Sequence, residues 1–270
     1  MRKKWLLRLL LLALMVLAAV GLDQRMIVRR YTIETDKLTA PIRLAVLTDY
    51  HGCDYGLHGI EIIQEVMSLS PDAILLVGDM FSGDGDPNDE LVFFVKLAEI
   101  ADTYYVTGNH EYWEYDVPAL LQLVDKAGVT VLDQRAAELT VDGQTLNICG
   151  IPDPYAYVDT SVALEQASSN INRGVYTILL AHRPELIETY AVTHSFDLVL
   201  SGHAHGGQVR IPFLVNGLCA PNQGWFPKYA GGRYEVAGTT MIVSRGLSTQ
   251  RQMGVPRIFN RPELVLVTIE

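Results

Sequence analysis

Five stretches of this chain end in side chains that bind metal ions or move protons: Thr48-Asp49-Tyr50-His51, Gly78-Asp79, Gly108-Asn109-His110-Glu111, Ala181-His182 and Gly202-His203-Ala204-His205. Each follows a short apolar run, such as Arg43-Leu44-Ala45-Val46-Leu47, Ala73-Ile74-Leu75-Leu76-Val77 or Leu198-Val199-Leu200, that reads as a buried strand. Taken singly these residues have ordinary explanations. Asp79 could cap a helix, Asn109 could make a turn, and His182 could be a surface histidine before Pro184. Their recurrence at the same end of successive strands is not ordinary. Asp49 to Asp79 and Asp79 to Asn109 are both 30 residues, one strand–helix–strand unit each. Side chains at the carboxyl ends of neighbouring parallel strands face one crevice. The set is two carboxylates, one amide oxygen and four imidazoles: Asp49, His51, Asp79, Asn109, His182, His203 and His205. That is too many for one tetrahedral zinc. It suits two divalent ions sharing a bridging carboxylate. Nitrogen and oxygen donors without thiolate admit Mn²⁺, Fe²⁺ or Zn²⁺.

The elements that must position these groups alternate along the first half. Residues 60–67 have helical spacing and stop before Pro71. Residues 89–101 read as a helix with Asn88 or Asp89 as its cap, 103–106 as a strand, and 118–127 as a helix closed by Gly128. Such alternation argues for right-handed crossovers and a mostly parallel sheet. The second half is richer in strand: 129–131, 137–141 and 146–149 around an Asp142-Gly143 turn, then 175–180, 197–200, 239–244 and 263–269, with a helix over 162–170.

At 270 residues and 49% hydrophobic, the chain suits one α/β domain with an ample core. The formal net charge is −10, and the first 22 residues carry four bases and no acids, leaving −14 on the rest. An acidic body argues against nucleic acid as a partner. It suits an anionic substrate held by bound cations. Three widely spaced cysteines, Cys53, Cys149 and Cys219, imply no disulfide framework. Cys149 reads as a buried hydrophobe. Cys53, two residues past His51, could approach the site; a bystander thiol is the simpler reading.

Residues 1–22 read as an uncleaved membrane anchor. A basic start precedes an uninterrupted apolar run of 14 residues, 9–22, with Arg8 able to snorkel toward headgroups. Residues 23–40 form a juxtamembrane connection and first strand, and 41–270 the remaining domain. Arg2, Lys3, Lys4 and Arg8 before the run, against Arg25, Arg29 and Arg30 after it, lean toward a cell-membrane protein with an extracytoplasmic body.

Together, Asp49-x-His51, Gly78-Asp79, Gly108-Asn109-His110-Glu111, His182 and Gly202-His203-x-His205 resemble the five-block signature of the calcineurin-like metallophosphoesterases, over about residues 42–211. Ser244-Arg245-Gly246-Leu247 and the segment 257–264 resemble the C-terminal part of that family's bacterial membrane-associated subgroup. This subgroup includes enzymes similar to UDP-2,3-diacylglucosamine pyrophosphatases. The resemblance implies a four-layer α/β fold: two mixed β-sheets flanked by helices. It implies that Asp49, His51, Asp79 and His205 hold one ion, and that Asp79, Asn109, His182 and His203 hold the other, with Asp79 bridging. His110 would be the catalytic histidine and not a ligand. The expected activity is hydrolysis of a phosphodiester or phosphomonoester by a hydroxide shared between two ions. The competing readings are an inactive metal-binding scaffold of the same fold at the membrane and a hydrolase of non-phosphate esters. The Gly108–Glu111 block argues against the latter.

One position departs from the family pattern. Where many relatives carry an aspartate that orients the catalytic histidine, this chain has Ser82; Asp84 or Asp86 could substitute, but a solvated turn is the simpler reading of that loop. Beyond the metal loop, Phe213, Trp225, Phe226 and Tyr229 could form a rim for an apolar substrate tail or the bilayer, or pack as an ordinary loop. Arg245 and Arg251 could hold a second phosphate or lie on the surface. The anchor and the aromatic rim favour a lipid-linked phosphoester over a soluble nucleotide.

Overall fold

A computed structural model of the protein describes residues 2–81, 83, 87–192, 195–249 and 255–270. Ser82, Asp84, Asp86 and Arg251 lie outside the described residues. The first half runs α1 (Arg2–Gly21), β1 (Ile27–Ile33), β2 (Ile42–Leu47), α2 (Ile60–Leu69), β3 (Ala73–Val77), α3 (Pro87–Ala98), β4 (Asp102–Val106), α4 (Asn109–Glu114), α5 (Val117–Lys126) and β5 (Thr130–Val131). The second runs β6 (Arg135–Val141), β7 (Gln144–Gly150), α6 (Thr160–Ala167), β8 (Thr177–Leu180), α7 (Ile187–Ala191), β9 (Leu198–Ser201), β10 (Cys219–Ala220), β11 (Gly224–Trp225), β12 (Gly232–Val236), β13 (Thr239–Val243) and β14 (Glu263–Ile269).

Two six-stranded mixed sheets result, in the orders β1-β14-β2-β3-β4-β5 and β12-β13-β9-β8-β7-β6. Strands β2 to β5 are parallel, as are β7, β8, β9 and β13. The central strands are apolar on both faces, and the burial shows why. On β2, Leu44 and Val46 enter a core shared with Ile178, Leu180, Leu198 and Leu200 of the other sheet. Ala45 and Leu47 face the opposite way, into a core with Ile62, Phe93 and Leu120 from α2, α3 and α5. Leu179 and Val199 of the second sheet pack under Leu164 of α6 and Ile187 of α7. Helix, sheet, sheet and helix therefore stack as four layers, the architecture the family resemblance implied. Strands buried on both faces lose the polar–apolar alternation of a half-exposed sheet.

Several boundaries move. Helix α3 starts at Pro87, so Asn88 and Asp89 lie in its first turn and do not cap it; a proline suits that position because its missing N–H would be unpaired anyway. Helix α6 starts earlier than 162 because Asp159 accepts from the amides of Ser161 and Val162 at 2.8 and 3.3 Å. The β6–β7 hairpin turns through Asp142 and Gly143 at positive φ, as expected. Helix α1 is exposed from Lys4 to Val20, and its segment Lys4–Gly21 is apolar and long enough to cross a membrane.

Truncation of Leu44, fully buried between the sheets, is expected to cost about 2–5 kcal/mol. Urea unfolding of Leu44→Ala should show a lower midpoint with an unchanged slope; an unchanged midpoint would mean that the inter-sheet core is not where stability resides.

Candidate metal centre

Asp49 and His51 follow β2, Asp79 follows β3, and Asn109 and His110 open α4 after β4. His182 follows β8, and His203 and His205 follow β9. The first sheet thus supplies five of these side chains and the second supplies three. They meet where the carboxyl ends of both sheets come together, and all but His110 are buried. Asp49, His51, Asp79 and His205 each present a donor atom within 4.8 Å of the others, and so do Asp79, His182 and His203. Asp79 belongs to both sets. Its Oδ2 lies 3.1 Å from His182 Nε2 and 3.8 Å from His51 Nε2, while Asp49 Oδ1 lies 3.5 Å from His205 Nε2. Donors around one ion at about 2.0–2.2 Å must sit roughly 3–4 Å from one another.

Most of the donor atoms have no partner outside the cluster: His51 Nε2, Asp79 Oδ2, Asn109 Oδ1, His182 Nε2 and His203 Nδ1 are buried and bonded to nothing beyond it. Leaving so many buried polar atoms unpaired would be costly unless a cation engages them. The opposite ring nitrogens are held. His182 Nδ1 lies 2.8 Å from the Val77 carbonyl, which can only accept, so Nδ1 carries a proton and Nε2 faces Asp79. His203 Nε2 is engaged by Asn222 Oδ1 at 2.9 Å and Arg183 Nη1 at 3.1 Å, while Nδ1 has no partner.

The electrostatics tell the same story. Burial pushes Asp49 up to about 6, with the charge of Asp79 adding and His182 opposing. Burial holds His51 down at about 4 and keeps His203 and His205 well below the usual range, so all three are neutral at pH 7. Burial opposes the charge on Asp79 too, but His182 beside it wins, and Asp79 stays well below the usual carboxylate range. His182 is raised to about 10 by Asp79 against its own burial. An ion at this point must displace that proton.

The backbone is bent to bring these groups inward. Asp49, His51, Asp79, His203 and His205 all adopt positive φ, between 46 and 65°. Left-handed backbone costs an L-residue about 1 kcal/mol or more, and such residues gather at functional sites. Buried hydrogen bonds hold the shape. His203 N–H donates to Asp49 Oδ1 at 2.9 Å and His110 N–H to Asp79 Oδ1 at 2.9 Å. Glu111 accepts from the amides of Gly108, Asp79 and Met80 at 2.6, 3.0 and 2.8 Å, tying the loop after β3 to the start of α4. Gly108 passes so close to Asp79 that a Cβ there would lie 2.2 Å from Oδ1. Gly246, at φ +75°, would place a Cβ 2.6 Å from that of Asp49.

Sequence reasoning missed several residues around this centre. Glu114, one helical turn after His110, lies 3.0 Å from His110 Nδ1. Its i, i+4 spacing was the available signal. Arg183 forks onto Asp153 at 2.5 and 3.1 Å and reaches Asn222 Oδ1 at 2.5 Å, buttressing His203. Asn260 donates to the carbonyls of His205 and Gln208 at 2.8 and 3.1 Å. Cys53 points at Ser248, 3.8 Å away, and belongs to neither donor set. In the loop beyond, Phe213, Trp225 and Phe226 are exposed, but Tyr229 is not part of a rim: it is buried, packs edge-on against Tyr234 and donates to Glu188. Arg245 is no free surface group, since its Nε lies 3.2 Å from buried Glu263.

Gly246→Ala should push Asp49 out of place while leaving the core intact. Divalent-ion content after reconstitution is expected to fall by at least half, and the rise in Tm on adding ions to shrink with it; full metal content in the variant would show that Asp49 does not depend on this close approach.

Residues 42–207 match the family described as calcineurin-like phosphoesterase. An uncharacterized metallophosphoesterase of Helicobacter pylori is 32% identical over 87% of this chain and 61% of its own length. The chain therefore spans about three fifths of that relative. A transmembrane protein with metallophosphoesterase domain of Bos taurus is 27% identical over 85% of this chain and 53% of its own length. Among solved structures, Haemophilus influenzae NAD nucleotidase superposes with a TM-score of 0.53 at 14% identity, over 81% of this chain and 49% of that one. A match spanning more than half of the chain, with the donor sets buried at the strand ends, makes this protein a member of the calcineurin-like phosphoesterase family.

Proposed function

We propose that the protein is a membrane-anchored phosphoester hydrolase whose centre holds two divalent ions. The observation that carries this reading is the pair of buried donor sets joined at Asp79, most of whose facing atoms have no partner outside the cluster. Asp49, His51, Asp79 and His205 would hold one ion; Asp79, Asn109, His182 and His203 would hold the other. Such ions, when bound, lower the pKa of water and neutralise charge on the phosphoryl oxygens. Mn²⁺, Fe²⁺ and Zn²⁺ all suit these donors.

The chain's own residues supply the rest. His110 stands at the mouth, its ring 4.5 Å from that of His51 and 4.8 Å from that of Trp113. Glu114 engages Nδ1, which leaves Nε2 to deliver a proton to the leaving oxygen. Glu114 thereby takes the positioning part that the family usually gives to the aspartate replaced here by Ser82. A cavity of about 480 Å³, lined by Tyr155, Tyr157, Arg183, Leu186 and Asn222, adjoins His203 and offers room for a leaving group. Tyr155 packs edge-on against Trp113, closing an aromatic wall beside His110.

Anchoring is supported by helix α1 and by the naming of the bovine relative as a transmembrane protein. With exposed Phe213, Trp225 and Phe226, it favours a lipid-linked phosphoester, as in enzymes similar to UDP-2,3-diacylglucosamine pyrophosphatases. The bias of basic residues before the helix supports an extracytoplasmic body.

Purified full-length protein, stripped of metal and reloaded with Mn²⁺, Fe²⁺ or Zn²⁺ singly, should hydrolyse bis(p-nitrophenyl) phosphate. Silence with every ion would leave the scaffold reading standing. His110→Ala should keep its metal and lose roughly 10²–10⁴-fold in kcat. Glu114→Gln should lose about 10-fold or more, as for other groups that orient an active histidine, with KM and metal content unchanged; wild-type kcat would remove it from the mechanism.

A further inference from the structure

A cavity of about 590 Å³ lies on the far side of the metal loop, with Arg29, Arg210 and Arg245 in its wall, Phe259 below, and Phe213 and Leu214 at its edge. Three guanidinium groups face it against one carboxylate. Glu263 is fully buried and lies 3.2 Å from Arg245 Nε and 3.8 Å from Arg29 Nε. Arg29 Nε is buried without a hydrogen bond. Arg210 donates to the Gly206 carbonyl at 3.2 Å and to Asn216, contacts that carry no negative charge. Burial, with the charge of Arg245 adding to it, lowers Arg210 to about 10. The cavity is thus short of two negative charges.

Its edge is apolar in a way a soluble anion cannot use. Phe213 is completely exposed and Leu214 is 82% exposed. The floor leads to the membrane helix: Phe259 N–H donates to the carbonyl of Gly21, the last residue of α1, at 2.7 Å. The cavity therefore sits where the chain would leave the hydrocarbon, which is the depth of lipid headgroups.

We infer that the Arg29–Arg210–Arg245 cavity is a binding site for the phosphate of one anionic phospholipid, with Phe213 and Leu214 inserted beside its acyl chains. The site is separate from the metal centre, and the inference rests on α1 lying in a membrane. It seats the body against a lipid surface of negative potential, to which each arginine contributes.

Native mass spectrometry of the full-length protein in non-ionic detergent tests this, because a retained lipid is read by its intact mass. With equal dioleoylphosphatidylglycerol and dioleoylphosphatidylcholine, the wild type should retain one phosphatidylglycerol at least tenfold in preference. Arg29→Gln, which leaves Arg245 on Glu263, and Phe213→Asp, at a side chain with nothing to unpack, should each reduce that retention about fivefold or more. Metal content should match the wild type in both, which checks the fold. Equal retention of the two lipids would overturn the inference, as would wild-type retention in both variants. Displacement of phosphatidylglycerol by millimolar inorganic phosphate, with Phe213→Asp neutral, would make this a soluble-anion site and overturn it too. Lipid retention is read without turnover, so failure to hydrolyse any phosphoester bears on the proposed activity alone.

Discussion

Two carboxylates and four imidazoles have been withdrawn from water at the junction of two sheets, and the rest of the structure answers to that. A buried carboxylate needs a nearby positive charge, and a buried imidazole needs a partner for each ring nitrogen. The protein holds the outer ring nitrogen of His182 at the Val77 carbonyl and that of His203 at Asn222, and turns the other nitrogen toward the centre. Positive charge comes from His182, raised to about 10 beside Asp79, and from the buried guanidinium of Arg183, 3.1 Å from His203 Nε2. A cluster built in this way is unfinished as a piece of protein and complete only around cations.

Holding such a cluster open requires a rigid surround, and the surround is made of backbone. The left-handed turns at Asp49, Asp79 and His203 are locked by hydrogen bonds between loops from different strands: Asp49 N–H to the Gly78 carbonyl at 3.0 Å, His51 N–H to the Asp79 carbonyl at 3.2 Å, and Gly202 N–H to the His182 carbonyl at 3.1 Å. Glu111 serves the same end with a side chain. Its carboxyl group is pushed up to about 7 by burial and by Asp79, yet it is kept there by the amides it receives. No single loop could keep its shape alone. Each is clamped by the loop on the neighbouring strand, so the ligand geometry inherits the stiffness of the sheets.

That division explains what could be read from the residues. The apolar runs and their polar ends announce themselves because strand burial and strand-end chemistry are local properties of the chain. The two-layered packing follows from runs such as Leu44-Ala45-Val46-Leu47, apolar on both faces. The clamps do not announce themselves. Asn260 holds the carbonyl of His205 across 55 residues, and Asp153 meets Arg183 across 30. No periodicity or motif marks such pairs. Helix α4 was equally hidden: six residues are too few to show a helical stripe, yet they set Glu114 beside His110. The capping action of Asp159 escaped because an aspartate after Val158 looks like any loop residue until the amides of Ser161 and Val162 turn toward it.

The last clamp reaches beyond the metal centre. Residues 257–263 cross from the metal loop to the base of α1. Ile258 exchanges backbone hydrogen bonds with Gln208 and Arg210 at 3.1 and 2.9 Å, and Asn260 fixes the carbonyl of His205. Between them, Phe259 binds Gly21. Arg261 grips the other side of the junction, its Nε 2.7 Å from the Arg25 carbonyl and 3.6 Å from Asp23, while Gln24 reaches the Arg257 carbonyl at 3.3 Å. A tether needs none of this; a few unbonded residues would keep a body near its anchor while letting it tumble. Here the residues after the helix are bonded to the same segment that shapes the His205 loop. The chain leaving α1 is therefore joined to the segment that shapes the metal loop, and a helix set in a bilayer would keep that side of the body against it.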